Sequence, residues 1–320
     1  TAVELLQKEK YGAARQTFNR YLKDYPKGVS QEEALYYQAY SALNLYHPDA
    51  ESLYQDFVVK HDEHPKAPLA YYELGNFYFK QEDYPKAIEY FEQVPLAQLD
   101  GQRRLEARFK LAYGYFGQKQ FDKALEKFNQ IKTKESKYSA ASSYYAGYIE
   151  YRNQDYDQAL VDLQRAENSE SYASLVPYLV ANVYYKQGRM DELLAYTESV
   201  LENNSSRDFS ELSLLAGEAY YFKGDYENAA VQYQKYADHT KRKLPPDTRY
   251  KYAFSTYHAG DIENSREAFK SLASRDEELG QFASYYLGDI YLKQDNLNYA
   301  VASFNKASQD DFSSEIKEAA

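Results

Sequence analysis

Residues 71–91 read YYELGNFYFKQEDYPKAIEYF, and the spacing of their apolar residues decides the fold class. In the second half an apolar residue, Tyr84, is followed three positions later by the small Ala87 and four positions after that by the bulky Phe91. These spacings place the three side chains on one face of an α-helix. The polar run KQED separates this helix from an equally apolar first half, so the stretch predicts two antiparallel helices joined by a short turn.

The same stripe recurs along the chain, in segments such as QFDKALEKF (120–128), DYDQALVDL (155–163) and NLNYAVASF (296–304). Its small position recurs at intervals of 34 to 39 residues. The residues at that position are Ala14, Leu53, Ala87, Ala124, Ala159, Leu193, Ala229, Ser265 and Ala300. A period of this size predicts a repeat protein in which each helical hairpin is stabilised by its neighbours.

A second small residue lies near the centre of the preceding helix in most repeats. These residues are Gly75, Ala112, Gly147, Ala181, Gly217, Ala253 and Gly288. Glycine inside a helix costs up to about 1 kcal/mol relative to alanine, so its recurrence needs a compensating reason. We predict that the facing helix approaches closely at these positions, and that an aromatic residue three positions later, such as Tyr78, packs over the contact.

The repeat resembles the tetratricopeptide repeat, whose 34-residue pattern runs W-x2-L-G-x2-Y…A-x3-F…P. Residues 71–91 match this pattern at Leu74, Gly75, Tyr78, Ala87 and Phe91. The resemblance covers essentially the whole chain, although the starting Trp is absent and the terminal Pro is present only as Pro26 and Pro65. It implies an all-α solenoid in which antiparallel helix pairs stack into a right-handed superhelix.

The regular period predicts one continuous array over residues 1–320, with a truncated repeat at 1–26 and the start of a further repeat at 313–320. Residues 241–249, KRKLPPDTR, contain the only Pro-Pro of the chain and its densest basic cluster. We interpret them as a possible hinge, with a solvated turn between two helices as the alternative.

Composition narrows the classes of function. The net charge of −11 argues against nucleic-acid binding, because phosphate neutralisation needs clustered Lys and Arg. The absence of Cys excludes disulfides and thiol catalysis. No apolar run approaches the roughly 20 residues that span a bilayer. With 38 Tyr and 16 Phe, aromatic side chains must supply much of the buried surface.

A second row of positions, on the first helix of each repeat, is not explained by packing within a hairpin. These positions lie at i, i+4 and i+7 on one helix face, and we call them the aromatic ladder. In the tetratricopeptide family this face lines a concave groove that holds extended peptides or partner helices. The resemblance therefore implies a partner-binding groove formed by Tyr72, Asn76, Phe79, Phe109, Tyr113, Phe116, Tyr144, Tyr148, Tyr151, Tyr178, Asn182, Tyr185, Tyr221, Tyr250, Phe254, Tyr257, Tyr285 and Asp289.

The alternative for the ladder is a structural one, in which its rings pack between adjacent repeats. The middle position discriminates between the two interpretations. It holds Tyr113, Tyr148 and Phe254 in some repeats and Asn, Glu or Asp in others, so it tolerates polar groups. We therefore expect the middle position to be open to solvent.

Motifs of known enzymes are missing from the sequence. His61 and His64 lie three residues apart, which does not match H-E-x-x-H or H-x-x-E-H, and they are interpreted as part of a turn before Pro65. There is no G-x-x-x-x-G-K-[ST] and no G-x-S-x-G. We predict no catalytic residue, no metal site and no cofactor.

The leading hypothesis is a non-catalytic protein–protein interaction scaffold that binds a peptide or partner protein on the ladder. A highly acidic peptide tail is not expected as its ligand, because the ladder positions are aromatic or acidic. Two alternatives stay open: a glycan-binding protein, since Tyr stacks on sugar rings, and an architectural arm that self-associates. The Tyr-rich, acidic, Cys-free character is similar to long arrays of the bacterial cell envelope, with a cytoplasmic location as the alternative.

Overall fold

Short helices joined by tight turns form the protein. The computed structural model describes residues 1–203, 210–240 and 243–320, and these residues contain nineteen α-helices and no β-strand. Contacts divide the chain into unit 1, Thr1–Tyr172, and unit 2, Ala173–Ala320. The predicted all-α architecture of helical hairpins is confirmed.

Unit 1 contains five consecutive helix pairs, and each helix packs against the next one in the chain. The helices are α1 (Ala2–Gln7), α2 (Tyr11–Asp24), α3 (Gln31–Asn44), α4 (Ala50–Lys60), α5 (Ala67–Lys80), α6 (Tyr84–Gln93), α7 (Gly101–Gly117), α8 (Phe121–Asn129), α9 (Ser139–Arg152) and α10 (Tyr156–Glu167). Contacts between α3 and α5 and between α5 and α7 join the first helices of successive pairs. This is the packing of a solenoid.

Unit 2 repeats the same arrangement. Its helices are α11 (Val176–Lys186), α12 (Met190–Asn203), α13 (Ser210–Lys223), α14 (Tyr226–His239), α15 (Pro246–His258), α16 (Ile262–Ala273), α17 (Glu278–Lys293), α18 (Leu297–Gln309) and α19 (Ser314–Ala319). The possible hinge at 241–249 falls partly outside the described residues, which omit 241 and 242, and α15 begins at Pro246. The hinge stays a prediction.

The turns inside the hairpins share one backbone feature. Each carries a residue in the left-handed conformation, with φ between 54° and 84°. These residues are Glu9, Tyr46, Glu82, Lys119, Gln154, Gly188, Gly224, Gly260 and Asp295. The next helix then starts close by, and in several hairpins an aspartate such as Asp83 or Asp261 accepts a backbone N–H of its first turn. This geometry reverses the chain within a few residues.

The recurring small residues are buried in the core, as the sequence pattern predicts. Ala14, Ala87, Ala124, Ala159, Ala229, Ser265 and Ala300 are all at most 2% exposed. A Cβ added at Gly75 would lie 2.8 Å from the ring of Phe91, and one at Gly288 would lie 2.6 Å from the ring of Phe304. The predicted close approach of the two helices at these glycines is confirmed.

Tyrosine hydroxyls join successive pairs. Tyr78 and Tyr90 stack with their ring centroids 5.6 Å apart, and both hydroxyls donate to the carboxylate of Glu51 in the preceding pair. Lys86 Nζ lies 3.2 Å from the same carboxylate. The aromatic packing predicted beside Gly75 therefore includes a polar anchor between repeats, since a buried phenol needs a hydrogen-bond partner.

Candidate partner-binding site

In unit 1 the structure brings part of the ladder together as a chain of touching rings. Phe79 of α5 contacts Tyr113 of α7 with centroids 5.7 Å apart, and Phe116 of α7 contacts Tyr148 of α9 at 5.8 Å. Tyr113 and Phe116 themselves are 6.4 Å apart, and Phe109 lies 6.2 Å from Tyr113. All five rings are half-buried, so they pack on one another and remain partly exposed to solvent.

Other ladder residues of unit 1 are placed differently. Tyr72 is only 6% exposed and belongs to the core, where burial raises its pKa to about 12. Tyr144 stacks on Tyr172 at 4.8 Å, and Tyr151 lies against Tyr156 at 6.0 Å. Tyr144 also lies 5.2 Å from Tyr145, whereas Tyr72 is part of the buried core.

Further rings that the sequence analysis did not assign to the ladder join the cluster in unit 1, among them Tyr145 and Tyr84. Tyr145 contacts Tyr113 at 5.3 Å and Phe116 at 4.9 Å, and Tyr84 contacts Tyr113 at 5.9 Å. Tyr145 lies one residue after Tyr144, off the i, i+4, i+7 series, and Tyr84 comes from the second helix of its pair. A search restricted to one helix face could not find them.

Unit 2 carries a second group of ladder rings. Phe254 of α15 contacts Tyr221 of α13 at 5.7 Å and Tyr250 at 6.0 Å. Tyr257 reaches this group through Tyr286 of α17, which lies 5.3 Å from Tyr257 and 5.4 Å from Phe254. Tyr286 was not among the predicted residues, because it too lies outside the ladder series.

Of the remaining ladder residues of unit 2, Tyr285 lies 5.6 Å from Tyr286 and Asp289 contacts Tyr257, so both adjoin that group. Tyr178 is 44% exposed, and Asn182 donates its amide to the carbonyl oxygen of Tyr178 at 2.8 Å. Tyr185 is half-buried. Tyr285 packs on Phe304 at 5.7 Å. Asp289 accepts a hydrogen bond from the Tyr257 hydroxyl and pairs with Lys293 at 2.8 Å, while burial raises the pKa of Tyr257.

Two polar ladder residues, Asn76 and Glu218, each contact a lysine from the next repeat. Lys110 Nζ donates to Asn76 Oδ1 at 2.7 Å and lies 5.6 Å from the ring centroid of Phe79. Lys251, the equivalent residue of α15, pairs with Glu218 and lies 5.8 Å from the ring of Tyr221. Asn76 and Glu218 therefore already have partners within the chain.

The middle ladder position is neither closed nor fully open. Tyr113, Tyr148 and Phe254 are all half-buried, and each contacts at least one other ring. The rings at this position thus pack between repeats and remain partly exposed to solvent, and partner binding by the ladder stays a prediction.

The histidine pair at the end of α4 has structural contacts. The His61 and His64 rings lie 5.6 and 5.4 Å from the ring of Phe57. His64 Nδ1 accepts the backbone N–H of Lys66 at 3.1 Å, and His61 Nδ1 lies 3.1 Å from Glu32. Within the part of the chain that the structure describes, no three His, Asp or Glu side chains are grouped to hold a metal. No described helix is both long and apolar enough to cross a membrane.

Comparisons with known proteins agree with this fold. Sequence profiles of the tetratricopeptide repeat match residues 68–94 and 109–173. No curated protein matches the chain in a sequence search. Among solved structures, the C-terminal part of a TPR repeat-containing protein from Cytophaga hutchinsonii matches with a TM-score of 0.55 and 16% identity, over 77% of this chain and 98% of its own.

Two further structures are similar at lower scores. A tetratricopeptide repeat protein from Parabacteroides merdae matches with a TM-score of 0.49 and 14% identity, over 78% of this chain and 96% of its own. YrrB, described as a TPR protein with an unusual peptide-binding site, matches with a TM-score of 0.49 and 18% identity, over 62% of this chain and 96% of its own. The profile matches identify tetratricopeptide repeats in residues 68–94 and 109–173, and the Cytophaga structure shows that most of the chain has the fold of a tetratricopeptide repeat protein.

Proposed function

We propose that the chain is a non-catalytic scaffold that binds a peptide or partner protein on the exposed edges of its aromatic ladder. Tetratricopeptide repeats generally serve as protein-interaction scaffolds rather than as enzymes. We infer that the aromatic ladder is the surface that binds the partner in this chain.

The observation that carries the proposal is the run of ring contacts through Phe79, Tyr113, Phe116 and Tyr148 in unit 1, whose members stay partly exposed to solvent. Each ring is held by its neighbours, so little side-chain entropy is left to lose on binding. Tyr also offers a large contact area together with a hydroxyl for hydrogen bonding. A row of fixed, half-exposed rings supports peptide docking better than mobile surface side chains would.

The test compares a ladder variant with a matched control. Tyr148→Ser and Tyr178→Ser together remove two ladder rings, one from each unit, whereas Phe222→Ser and Tyr299→Ser remove two rings off the ladder that are 74% and 60% exposed. After affinity capture from the source organism and purification of each captured protein, we expect the ladder variant to bind its partner at least tenfold more weakly. The control variant should bind as the wild type does.

Other outcomes would redirect the proposal. Equal affinity for wild type and ladder variant would place the binding surface elsewhere. Retardation of the wild type in gels containing a soluble polysaccharide would favour the glycan-binding alternative. A molar mass that rises with concentration in light scattering, and falls in the ladder variant, would favour self-association.

A further inference from the structure

A pocket of about 340 Å³ in unit 1 contains an unpaired carboxylate. It is lined by Tyr11 of α2, Leu43 and Asn44 of α3, Tyr46 of the following turn, and Glu73, Asn76, Phe77 and Lys80 of α5. Tyr46 is 62% exposed at its mouth. Three successive helix pairs therefore contribute to one cavity, which we call the Glu73 pocket.

The carboxylate of Glu73 has no hydrogen bond and no ion pair to any described residue. The nearby cations that stabilise its charge are already engaged: Arg103 pairs with Asp100 at 2.7 Å, and Lys110 pairs with Glu106 at 2.6 Å. Burial raises the pKa of Glu73 to about 7. Glu73 is half-buried, so its carboxylate loses part of its hydration without gaining a partner, which is unfavourable for stability.

The rest of the pocket favours a cation. The rings of Tyr11, Tyr46 and Phe77 can face a positive group, which aromatic faces attract. Asn44 uses its amide N–H to donate to the carbonyl oxygen of Tyr40 at 2.8 Å, which leaves its side-chain oxygen as an acceptor. The positive side chain in the lining, Lys80, is exposed to solvent. The carboxylate of Glu73 would repel an anionic ligand, and a purely apolar ligand would leave this carboxylate unpaired.

We propose that the Glu73 pocket binds an arginine side chain of the partner peptide. A guanidinium both stacks on aromatic rings and donates paired hydrogen bonds to a carboxylate, which an ammonium does less well. This inference rests on the proposed scaffold function and adds a chemical requirement: the partner segment carries an arginine near the residues that contact the ladder. Asn76 belongs to both surfaces, since it lines the pocket and lies in the ladder series.

The test uses a capped peptide Gly-Gly-Arg-Gly-Gly and its citrulline counterpart, which has nearly the same shape but no charge. Both are titrated into the full chain at pH 8, with binding followed by NMR. We expect the arginine peptide to bind at least tenfold more tightly than the citrulline peptide. Glu73→Gln should remove this difference, whereas Glu89→Gln, an exposed carboxylate of α6, should preserve it. Equal binding of the two peptides, or arginine binding that survives Glu73→Gln, would overturn the proposal.

A second measurement counts the protons that Glu73 releases when the arginine peptide binds. At pH 6 the carboxyl is mostly protonated, and pairing with a cation favours its ionised form, so binding should release close to one proton by linkage. Calorimetry in buffers of different ionisation enthalpy measures the number of protons released. Attraction of the peptide to distant surface charges would not release a proton from Glu73. The titratable and charged groups around Glu73 are Tyr11, Tyr36, Tyr40, Tyr54, Tyr72, Lys80, Arg103, Glu106 and Lys110. An unchanged proton count in Glu73→Gln would contradict the assignment.

The two proposals fail separately. If the purified partner is insensitive to the ladder variant while the arginine peptide still requires Glu73, the ladder proposal fails and the pocket stands. If the partner requires the ladder but binds Glu73→Gln as tightly as wild type, the pocket proposal fails and the scaffold proposal stands.

Discussion

Lys132 lies between two carboxylates inside unit 1. Its Nζ contacts Asp162 and lies 3.5 Å from Glu150 Oε1. Asp162 is fully buried and Glu150 is 3% exposed, with Glu150 Oε2 lacking a hydrogen-bond partner. Burial first, and then the charge of Asp162, raise the pKa of Glu150 to about 7. Arg165 also pairs with Asp162, so Lys132 is the cation that Glu150 depends on, while Asp162 has two cationic partners.

We predict that Lys132→Met lowers the free energy of unfolding by about 3–5 kcal/mol, the usual cost of leaving buried charge unpaired. Chemical denaturation at pH 8 measures this. Because a raised pKa means that the folded state favours the protonated carboxyl, the penalty should shrink as the pH falls through 7 towards 5. A penalty independent of pH would mean that lost packing, not charge, is responsible.

Neutralising Glu73 should stabilise the protein, whereas removing the charge of Lys132 should destabilise it. Its folded-state pKa of about 7 exceeds the ordinary value of 4.5, so ionisation of this group favours the unfolded chain as the pH rises through that window. Glu73→Gln mimics the protonated form, and we expect it to raise the free energy of unfolding by about 1–3 kcal/mol at pH 8 and by nothing measurable at pH 4. Paired denaturation curves at the two pH values test this. Destabilisation at pH 8 would show that Glu73 has a stabilising partner.

At the scale of the helix pair, the central glycines set how closely the two helices approach. A Cβ added at Gly147 would lie 2.8 Å from Leu163 Cγ and 3.1 Å from the backbone nitrogen of Leu163. We predict that Gly147→Ala lowers the free energy of unfolding by about 1–3 kcal/mol through overpacking, despite the better helix propensity of alanine. Thermal denaturation of the purified variant measures the change.

Gly101→Ala is the matched control for this prediction. Gly101 starts α7, and a Cβ there would have no neighbouring atom within 4 Å. The substitution should therefore be neutral or stabilise the protein by up to about 1 kcal/mol. If both variants behaved alike, helix propensity rather than helix contact would govern these glycines.

The helix pairs could be predicted from sequence because their pattern is local. Ala87 and Gly75 lie at fixed spacings from their partners, and both are buried as expected. Tyr72 illustrates what could not be predicted: its ladder spacing is regular, yet it belongs to the core. Whether a ring faces solvent depends on the neighbouring pair, whose side chains lie more than 30 residues away, as Lys110 does from Asn76. Contacts of this kind carry no short-range signal.

The Glu73 pocket could not be predicted from the sequence either. Its lining comes from three helix pairs, and nothing about a glutamate in the second position of YELGNFYF distinguishes it from a surface residue. Its significance arises from burial and from the prior engagement of Arg103 and Lys110. The sequence periodicity predicts the helix pairs. The chemistry of a cavity between them depends on which side chains meet when the pairs stack.

At the scale of the whole molecule, stability is built from contacts between neighbours. In unit 1, one core cluster extends from Tyr36 to Tyr90 and another from Tyr72 to Ile149, so the hairpin α5–α6 contributes to both. A protein organised in this way has a stability close to the sum of its repeats and their interfaces, without a single central core. A sufficiently long run of repeats should therefore fold by itself.

We predict that residues 1–172, produced alone, fold into a helical unit with a cooperative thermal transition. The reason is that the clusters of unit 1 are formed by residues of unit 1, including the buried Phe91, Phe128 and Ile149. Circular dichroism gives the helix content and the transition, and the arginine peptide should bind the fragment as it binds the full chain, since every lining residue of the Glu73 pocket lies before residue 81. A fragment that lacked a cooperative transition would show that nearest-neighbour contacts do not suffice, and that the repeats of unit 1 depend on the remainder of the chain.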